Sequence, residues 1–473
     1  MSSSSTGSAG AAGSTGSNAS SASSVSSVSS GANQAPLERV LNLRSVVLFG
    51  LAYMTPLIGL GIFGVIATKS QGAAAGAYLL ALVAMLFTAA SYGRLASRFA
   101  IGGSAYTYVG KSIGPKAGFL VGWTVLLDYM FLPMVIWLIG AAYVGSIFPG
   151  VPHAVSVLTY IVITTIINII GLKVADKVNF VLMVFQFAVI AAFVVLSIVY
   201  LTGNADQSRS LSEPFIGHGG FSGITAGAAV AAYAYLGFDA VTTLTDETKE
   251  PEKTMPRAIM LVALIGGAVF VILSYSAQLV HPGMHFGNED AAATDMALTV
   301  GGTFFQSFIV AALVVAQFTS GIAAQTSASR LLYTMGRDGA LPRAWLSKMS
   351  KRFSTPWAAV LTVSVVGLLA LFLDVNTSTS FVNFGAFFAF TLVNVSVVVL
   401  GVATKRSGGS WNVFTDAILP VLGAVIVFTL LTQLDSAALT IGGIWLVIGI
   451  AVLGYLTKGF RHDPPHVADD AFD

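Results

Sequence analysis

The chain has 473 residues, of which 55% are hydrophobic and only 9% charged, with a mean hydropathy of +0.82. Soluble domains need about 25% charge to cover their surface, so this composition excludes a soluble protein and points to one that crosses the membrane repeatedly. A net charge of +2 offers nucleic acid no general basic surface, and the absence of cysteine excludes disulfides, thiolate nucleophiles and zinc–sulfur sites.

Residues 1–36 are rich in Ser, Gly, Ala and Thr and carry no charge. Such a segment buries too little to offset its ordering entropy and reads as a disordered tail. It lacks the basic and apolar regions of a secretory signal. Beyond it, twelve apolar runs are long enough to cross about 30 Å of hydrocarbon. They lie near 43–68, 74–97, 117–147, 154–171, 178–202, 222–247, 258–281, 300–335, 356–374, 379–402, 414–433 and 437–458, numbered spans 1–12. Of the 23 Lys and Arg residues, all but Lys69 and Arg209 fall on one side of this arrangement. The positive-inside bias then places both termini in the cytoplasm, with a short tail over 461–473.

Two spans carry helix-breaking chemistry at mid-depth. In span 1, Thr55-Pro56 precedes Gly59, Gly61 and Gly64; in span 6, Tyr235-Leu236-Gly237-Phe238-Asp239 interrupts an apolar stretch. Proline removes a backbone donor and glycine tolerates unwound backbone. Irregular backbone at membrane depth belongs where it lines a cavity or is buried in protein. Breaks in spans 1 and 6 correspond if spans 1–5 and 6–10 are two repeats, the arrangement of inverted-repeat transporters.

An ionisable group at the centre of a membrane helix costs at least about 2.5–3.5 kcal/mol and is a functional candidate for that reason. Asp239, after the span 6 break, and Asp128, inside span 3, both qualify. Each could pair with a substrate ammonium, carry a coupling proton, or serve as a hydrogen-bonded structural carboxylate. Asp246 and Glu247, followed by Lys249, Glu250, Glu252, Lys253 and Arg257, read as a solvated charge cluster or a gate. In span 8, the adjacent hydroxyls of Thr319 and Ser320 are oxygen ligands for a hard cation or bond back to their own helix. All six histidines fall in loops or at span ends, and no P-loop pattern occurs, so no metal or cofactor site and no ATP-driven mechanism is expected.

Over residues 37–460 the sequence resembles the amino acid–polyamine–organocation (APC) permeases. The resemblance rests on Gly50-Leu51-Ala52-Tyr53-Met54-Thr55-Pro56, Ser91-Tyr92-Gly93, Gly103-Ser104-Ala105-Tyr106-Thr107-Tyr108, Leu236-Gly237-Phe238-Asp239-Ala240 and Ser329-Arg330-Leu331-Leu332-Tyr333. Within the family, Leu127-Asp128-Tyr129 and Phe131-Leu132-Pro133-Met134 are most similar to bacterial putrescine importers. The resemblance implies an all-α polytopic membrane protein with twelve transmembrane helices. Two five-helix inverted repeats (about 43–202 and 222–402) would be followed by two extra helices (about 414–458). It implies a secondary transporter of the bacterial cytoplasmic membrane, not an enzyme. A small amine, putrescine or a related polyamine first, would bind between broken spans 1 and 6, with contacts from spans 3, 8 and 10.

The substrate contacts so implied are Ile58, Gly59, Gly61, Asp128, Tyr129, Tyr235, Gly237, Phe238, Asp239 and, on span 10, Asn383. Two departures matter. Putrescine importers carry an acid where Gly61 aligns, which keeps an amino-acid substrate held by span 1 amides open as the alternative. Gln186 stands where cationic amino acid transporters have a lysine implicated in proton coupling, and an amide cannot titrate. Coupling is therefore open between a proton on Asp128 or Asp239, sodium at Thr319 and Ser320, and exchange without an ion. A monomer and a homodimer both remain compatible.

Overall fold

A computed structural model describes residues 39–204, 210–282, 286, 289, 292–373 and 375–464. The N-terminal tail over 1–36, Arg209, His285, His466 and the chain from 465 lie outside these residues.

Among the described residues, eleven helices are long and apolar enough to cross a membrane. Span 1 is Leu43–Gly61, span 2 Ala74–Phe99, span 3 Pro115–Gly145, span 4 His153–Ile170, span 5 Lys177–Gly203 and span 6 Gly220–Glu247. Span 7 is Pro251–Val280, span 8 Ala292–Arg337, span 10 Val382–Arg406, span 11 Phe414–Thr432 and span 12 Ser436–Leu456. The ninth apolar run forms a shorter element: eleven α-helical residues, Trp357–Gly367, then a four-residue 3-10 turn, Leu368–Leu371. Shorter than the other eleven among the described residues, it occupies the place of the expected ninth span. Among the described residues the only β pairing is an isolated bridge between Leu41 and Thr248.

Ordinary cap chemistry sets several helix ends. Asn42 accepts from the Ser45 amide at 3.0 Å before span 1, and Asp435 from the Ala438 amide at 2.7 Å before span 12. Proline occupies the first turn at Pro115, Pro251 and Pro420, where its missing N–H costs nothing. Pro133 has the opposite effect inside span 3, where the helix divides into Pro115–Tyr129 and Leu132–Ile147. Span 8 turns sharply at Gly302, whose φ of 70° suits glycine.

Of the apolar stretch of each span, 72% is buried in spans 1 and 6 and 78% in span 3, against 33% in span 11 and 22% in span 12. The broken spans therefore lie at the centre of the bundle, and spans 11 and 12 turn Val425, Phe428, Ile444 and Val447 outward toward lipid. Lipid gives packed helices no hydrophobic incentive to associate, so polar contacts and close approach carry the packing. One polar cluster joins spans 4 and 8 to the short ninth helix. Asn168 Nδ2 donates to Gln325 Oε1 at 2.8 Å, Thr326 Oγ1 donates to Asn168 Oδ1 at 2.6 Å, and Gln325 Nε2 reaches Thr165 and Ser364 at 3.0 and 2.9 Å. Spans 3 and 12 are joined by stacked Trp123 and Trp445, each indole N–H donating to the other's carbonyl.

Candidate functional site

Both predicted breaks are present. The first half of span 1, Leu43–Met54, ends at Thr55, which adopts φ 51°. A residue before proline is disfavoured in the right-handed helical region, and Pro56 has no N–H with which to continue the ladder. The chain resumes as a buried turn, Ile58–Gly61, and then as Phe63–Lys69. In span 6, helix Gly220–Ala231 tightens into a 3-10 turn, Ala232–Tyr235, and opens at Leu236 (ψ 127°) and Gly237 (φ 125°). It continues as a second 3-10 stretch, Ala240–Glu247. Gly237 is required twice over: a side chain there would be strained, and its Cβ would strike the Tyr53 ring.

The interrupted ladders leave carbonyls that other spans satisfy. The Tyr53 carbonyl, at the end of the first half of span 1, accepts from Ser320 Oγ at 2.7 Å. The Gly59 carbonyl accepts from Tyr78 Oη on span 2 at 3.3 Å. Thr319 Oγ1 donates back to Val315 O at 2.9 Å. Of the two expected cation ligands, one hydroxyl thus serves its own helix and the other holds span 8 against the span 1 break.

Between the breaks lies a cavity of about 20 Å³, roughly the room of a single water. Tyr53, Thr55 and Ile58 of span 1, Leu132 and Ile136 of span 3, Tyr233 and Leu236 of span 6, and Gln317 and Ser320 of span 8 line it. Tyr53 Oη and Gln317 Nε2 are buried there without a hydrogen-bond partner. The predicted Ile58 is in this lining. Tyr53, Tyr233 and Gln317 were not foreseen as site residues; the only signal for them in the sequence is polarity beside the breaks.

The other predicted residues pack around the breaks. Tyr235 Oη donates to Tyr78 O at 2.8 Å, and Phe238 lies edge-on to Tyr92 and 5.2 Å from the Phe390 ring. Gly59 faces Phe270 of span 7, where a Cβ would lie 2.7 Å from the ring edge. The Gly61 amide is 3.4 Å from Leu57 O, within its own turn. Asn383 Oδ1 on span 10 is buried without a partner, and Gln186 on span 5 donates to Met183 Sδ at 3.7 Å.

Asp128 and Asp239 are each 1% exposed, and among the described residues neither has a basic partner. Tyr129 Oη donates to Asp239 Oδ2 at 2.8 Å. That uses the tyrosine's single hydrogen, so the contact of 3.0 Å with Ser104 Oγ runs from serine to tyrosine. The N–H groups of Gly237, Asp239 and Ala240 also turn toward the Asp239 carboxylate. Asp128 Oδ1 is buried without a hydrogen bond. Asp239 is thus tied to span 3 through Tyr129, the neighbour of Asp128 in sequence, and neither carboxylate is among the residues lining the cavity. No group of three or more His, Asp or Glu residues suited to a metal occurs among the described residues.

Of the two readings of the charge cluster at the end of span 6, a solvated cluster or a gate, the solvated one does not hold for Glu247. Arg330 of span 8 donates through Nε to Glu247 Oε1 at 2.8 Å and through Nη2 to Oε2 at 3.3 Å, and both side chains are buried. Asp246 accepts from the Gly102 amide at 3.0 Å. Only the outer part is solvated, where a hydrogen bond from the Lys253 ammonium holds the exposed Glu250 carboxyl below its ordinary range.

The amino acid permease profile matches residues 46–434, well over half of the chain. The chain belongs to the amino acid permease family of the APC superfamily. This permease is 36% identical over 447 residues to the low-affinity putrescine importer PlaP of Escherichia coli (strain K12), covering 93% of this chain and 98% of that one. It is 27% identical to the branched-chain amino acid permease BcaP of Bacillus subtilis (strain 168), with 89% and 93% covered. Identity to the methylthioribose transporter of the same organism is also 27%, with 88% and 93% covered. The permease is an integral membrane transporter, not an enzyme.

Proposed function

We propose that this permease is a secondary importer of a small amine, putrescine or a related polyamine, working by alternating access in a bacterial cytoplasmic membrane with both termini cytoplasmic. The observation that carries this reading is the pair of buried carboxylates. Asp128 is buried in span 3 and Asp239 directly follows the span 6 opening, and neither has a basic partner among the described residues. Uncompensated charge at that depth is costly, and a site holding two acids is matched by cations rather than by an anion. A diamine brings two ammonium groups; a monoamine together with a proton balances the same charge. Proton coupling through Asp128 or Asp239 follows, with Ser320 serving structure rather than sodium.

In this reading spans 1–5 and 6–10 form two inverted repeats over about 43–202 and 222–402, followed by spans 11 and 12. Tyr129, Tyr235, Gly237, Phe238 and Asn383 frame the site around the carboxylates. The cavity of about 20 Å³ is too small for a four-carbon diamine, so loading requires the halves of spans 1 and 6 to part. The relative named as a branched-chain amino acid permease supports a second reading, an amino acid bound by its carboxylate at the Gly59–Gly61 turn.

Labelled putrescine and labelled leucine, offered separately to proteoliposomes in sodium-free buffer with and without an inward proton gradient, separate the two. Gradient-stimulated putrescine uptake is expected, falling at least about 100-fold in Asp239→Asn, since a buried charge pair broken from one side costs about 3–5 kcal/mol. Leucine uptake alone, or putrescine uptake unaffected by Asp239→Asn, overturns the amine reading.

A further inference from the structure

Away from the breaks, the Lys/Arg-rich ends of spans 2, 10 and 11 enclose a second cavity, of about 440 Å³. Arg94, Arg98, Leu400, Thr404, Ser410 and Asp416 are among its lining residues. The acid is already neutralised: Arg94 pairs with the buried Asp416 and donates to Thr415 Oγ1 at 3.0 Å, and the Asn412 amide donates to Asp416 Oδ2 at 2.8 Å. Arg98 is exposed at the mouth and has no ion pair or hydrogen bond among the described residues. Lys405 stands beside the cavity, its ammonium 4.1 Å from the centre of the Trp411 ring. Trp411 Nε1 is buried without an acceptor, beside the lining residue Gly401, where a Cβ would come within 3.2 Å of it.

A hollow with surplus positive charge and an orphaned N–H donor suits an anionic oxygen ligand. Its surroundings select the source of that ligand. Val397 and Leu400 form an apolar wall, and Val399, Val402, Phe414 and Ile418 stand exposed on the neighbouring turns of spans 10 and 11, where the bundle meets lipid. A free inorganic anion gains nothing from that apolar track; a phospholipid uses both parts. We propose that the hollow seats the phosphodiester headgroup of an anionic phospholipid, with its acyl chains along the outer faces of spans 10 and 11. The proposal is independent of what the permease carries.

The test uses the purified full-length protein in detergent, titrated with phosphatidylglycerol or phosphatidylcholine, with bound lipid counted by native mass spectrometry. Phosphatidylglycerol is expected to be retained in preference to phosphatidylcholine. Arg98→Gln is expected to weaken its binding about fivefold, the worth of one basic residue facing an anionic lipid. Trp411→Phe, which removes the orphaned donor while keeping an aromatic ring beside Lys405, is expected to weaken it as well. Lys348→Gln, which neutralises an exposed basic residue outside the hollow, is expected to change nothing. Unchanged phosphatidylglycerol binding in both Arg98→Gln and Trp411→Phe overturns the proposal. So does an equal loss in Lys348→Gln, or displacement of the lipid by millimolar inorganic phosphate.

Discussion

Glu247→Gln isolates the contact that closes the Lys/Arg-rich end of the bundle. The carboxylate receives two hydrogen bonds from one guanidinium, at 2.8 and 3.3 Å, and the side chains of Glu247 and Arg330 are 5% and 4% exposed. A neutral amide keeps the shape but leaves the arginine charge buried and uncompensated. Removing one partner of such a pair costs about 3–5 kcal/mol, whereas replacing both with apolar groups of similar volume is often neutral. Glu247→Gln should therefore lower the temperature of half-denaturation by roughly 5 °C or more, judged from the scaling for sizeable domains. Glu247→Leu combined with Arg330→Met should recover most of that loss. Fluorescence-detected size-exclusion chromatography after heating measures both at one heating rate, which matters for a protein that unfolds irreversibly. The reasoning is refuted if Glu247→Gln melts within a degree of the parent, or if the double variant is less stable than either single one.

Two further outcomes follow from the packing. Gly237→Ala places a side chain at φ 125° and against the Tyr53 ring, a strain of about 1–3 kcal/mol, so uptake should fall while the protein still elutes as a folded species; full uptake would show that the span 6 opening is dispensable. Asn168→Ala leaves Gln325 Oε1 without its donor and Thr326 Oγ1 without that acceptor, and should cost about 1–3 kcal/mol, read as a lower melting temperature with unchanged KM for transport.

Much of this architecture is visible in the order of residues. In lipid a helix must satisfy its own backbone, so the apolar runs mark the spans, and Thr55-Pro56 and Gly237 mark the places where that rule lapses. Other features lay in view without being decisive. Pro133 divides span 3 just beyond Asp128, and Gly302 lets span 8 begin at Ala292 rather than near residue 300. The apolar run at 356–374 ends in a 3-10 turn, which composition alone does not reveal. The cavity lining was the least legible part. Helical periodicity assigns faces only while the helix is regular; at an unwound segment it no longer tells whether Tyr233 or Tyr235 turns inward. The Glu247–Arg330 pair joins residues 83 apart, a proximity no local pattern encodes.

The bridge between Leu41 and Thr248 has a mechanical consequence. The Val40 and Leu41 amides both bond to Glu247 O, at 2.9 and 3.0 Å, and the Lys249 amide returns to Leu41 O at 2.9 Å. Leu43–Met54 and Ala240–Glu247, the two segments on this side of the breaks, are therefore stitched together at their shared end, so that a displacement of either would carry both as one lever. A reporter on either half tracks both. Because the chain has no cysteine, a single thiol placed on that lever is the only one in the protein.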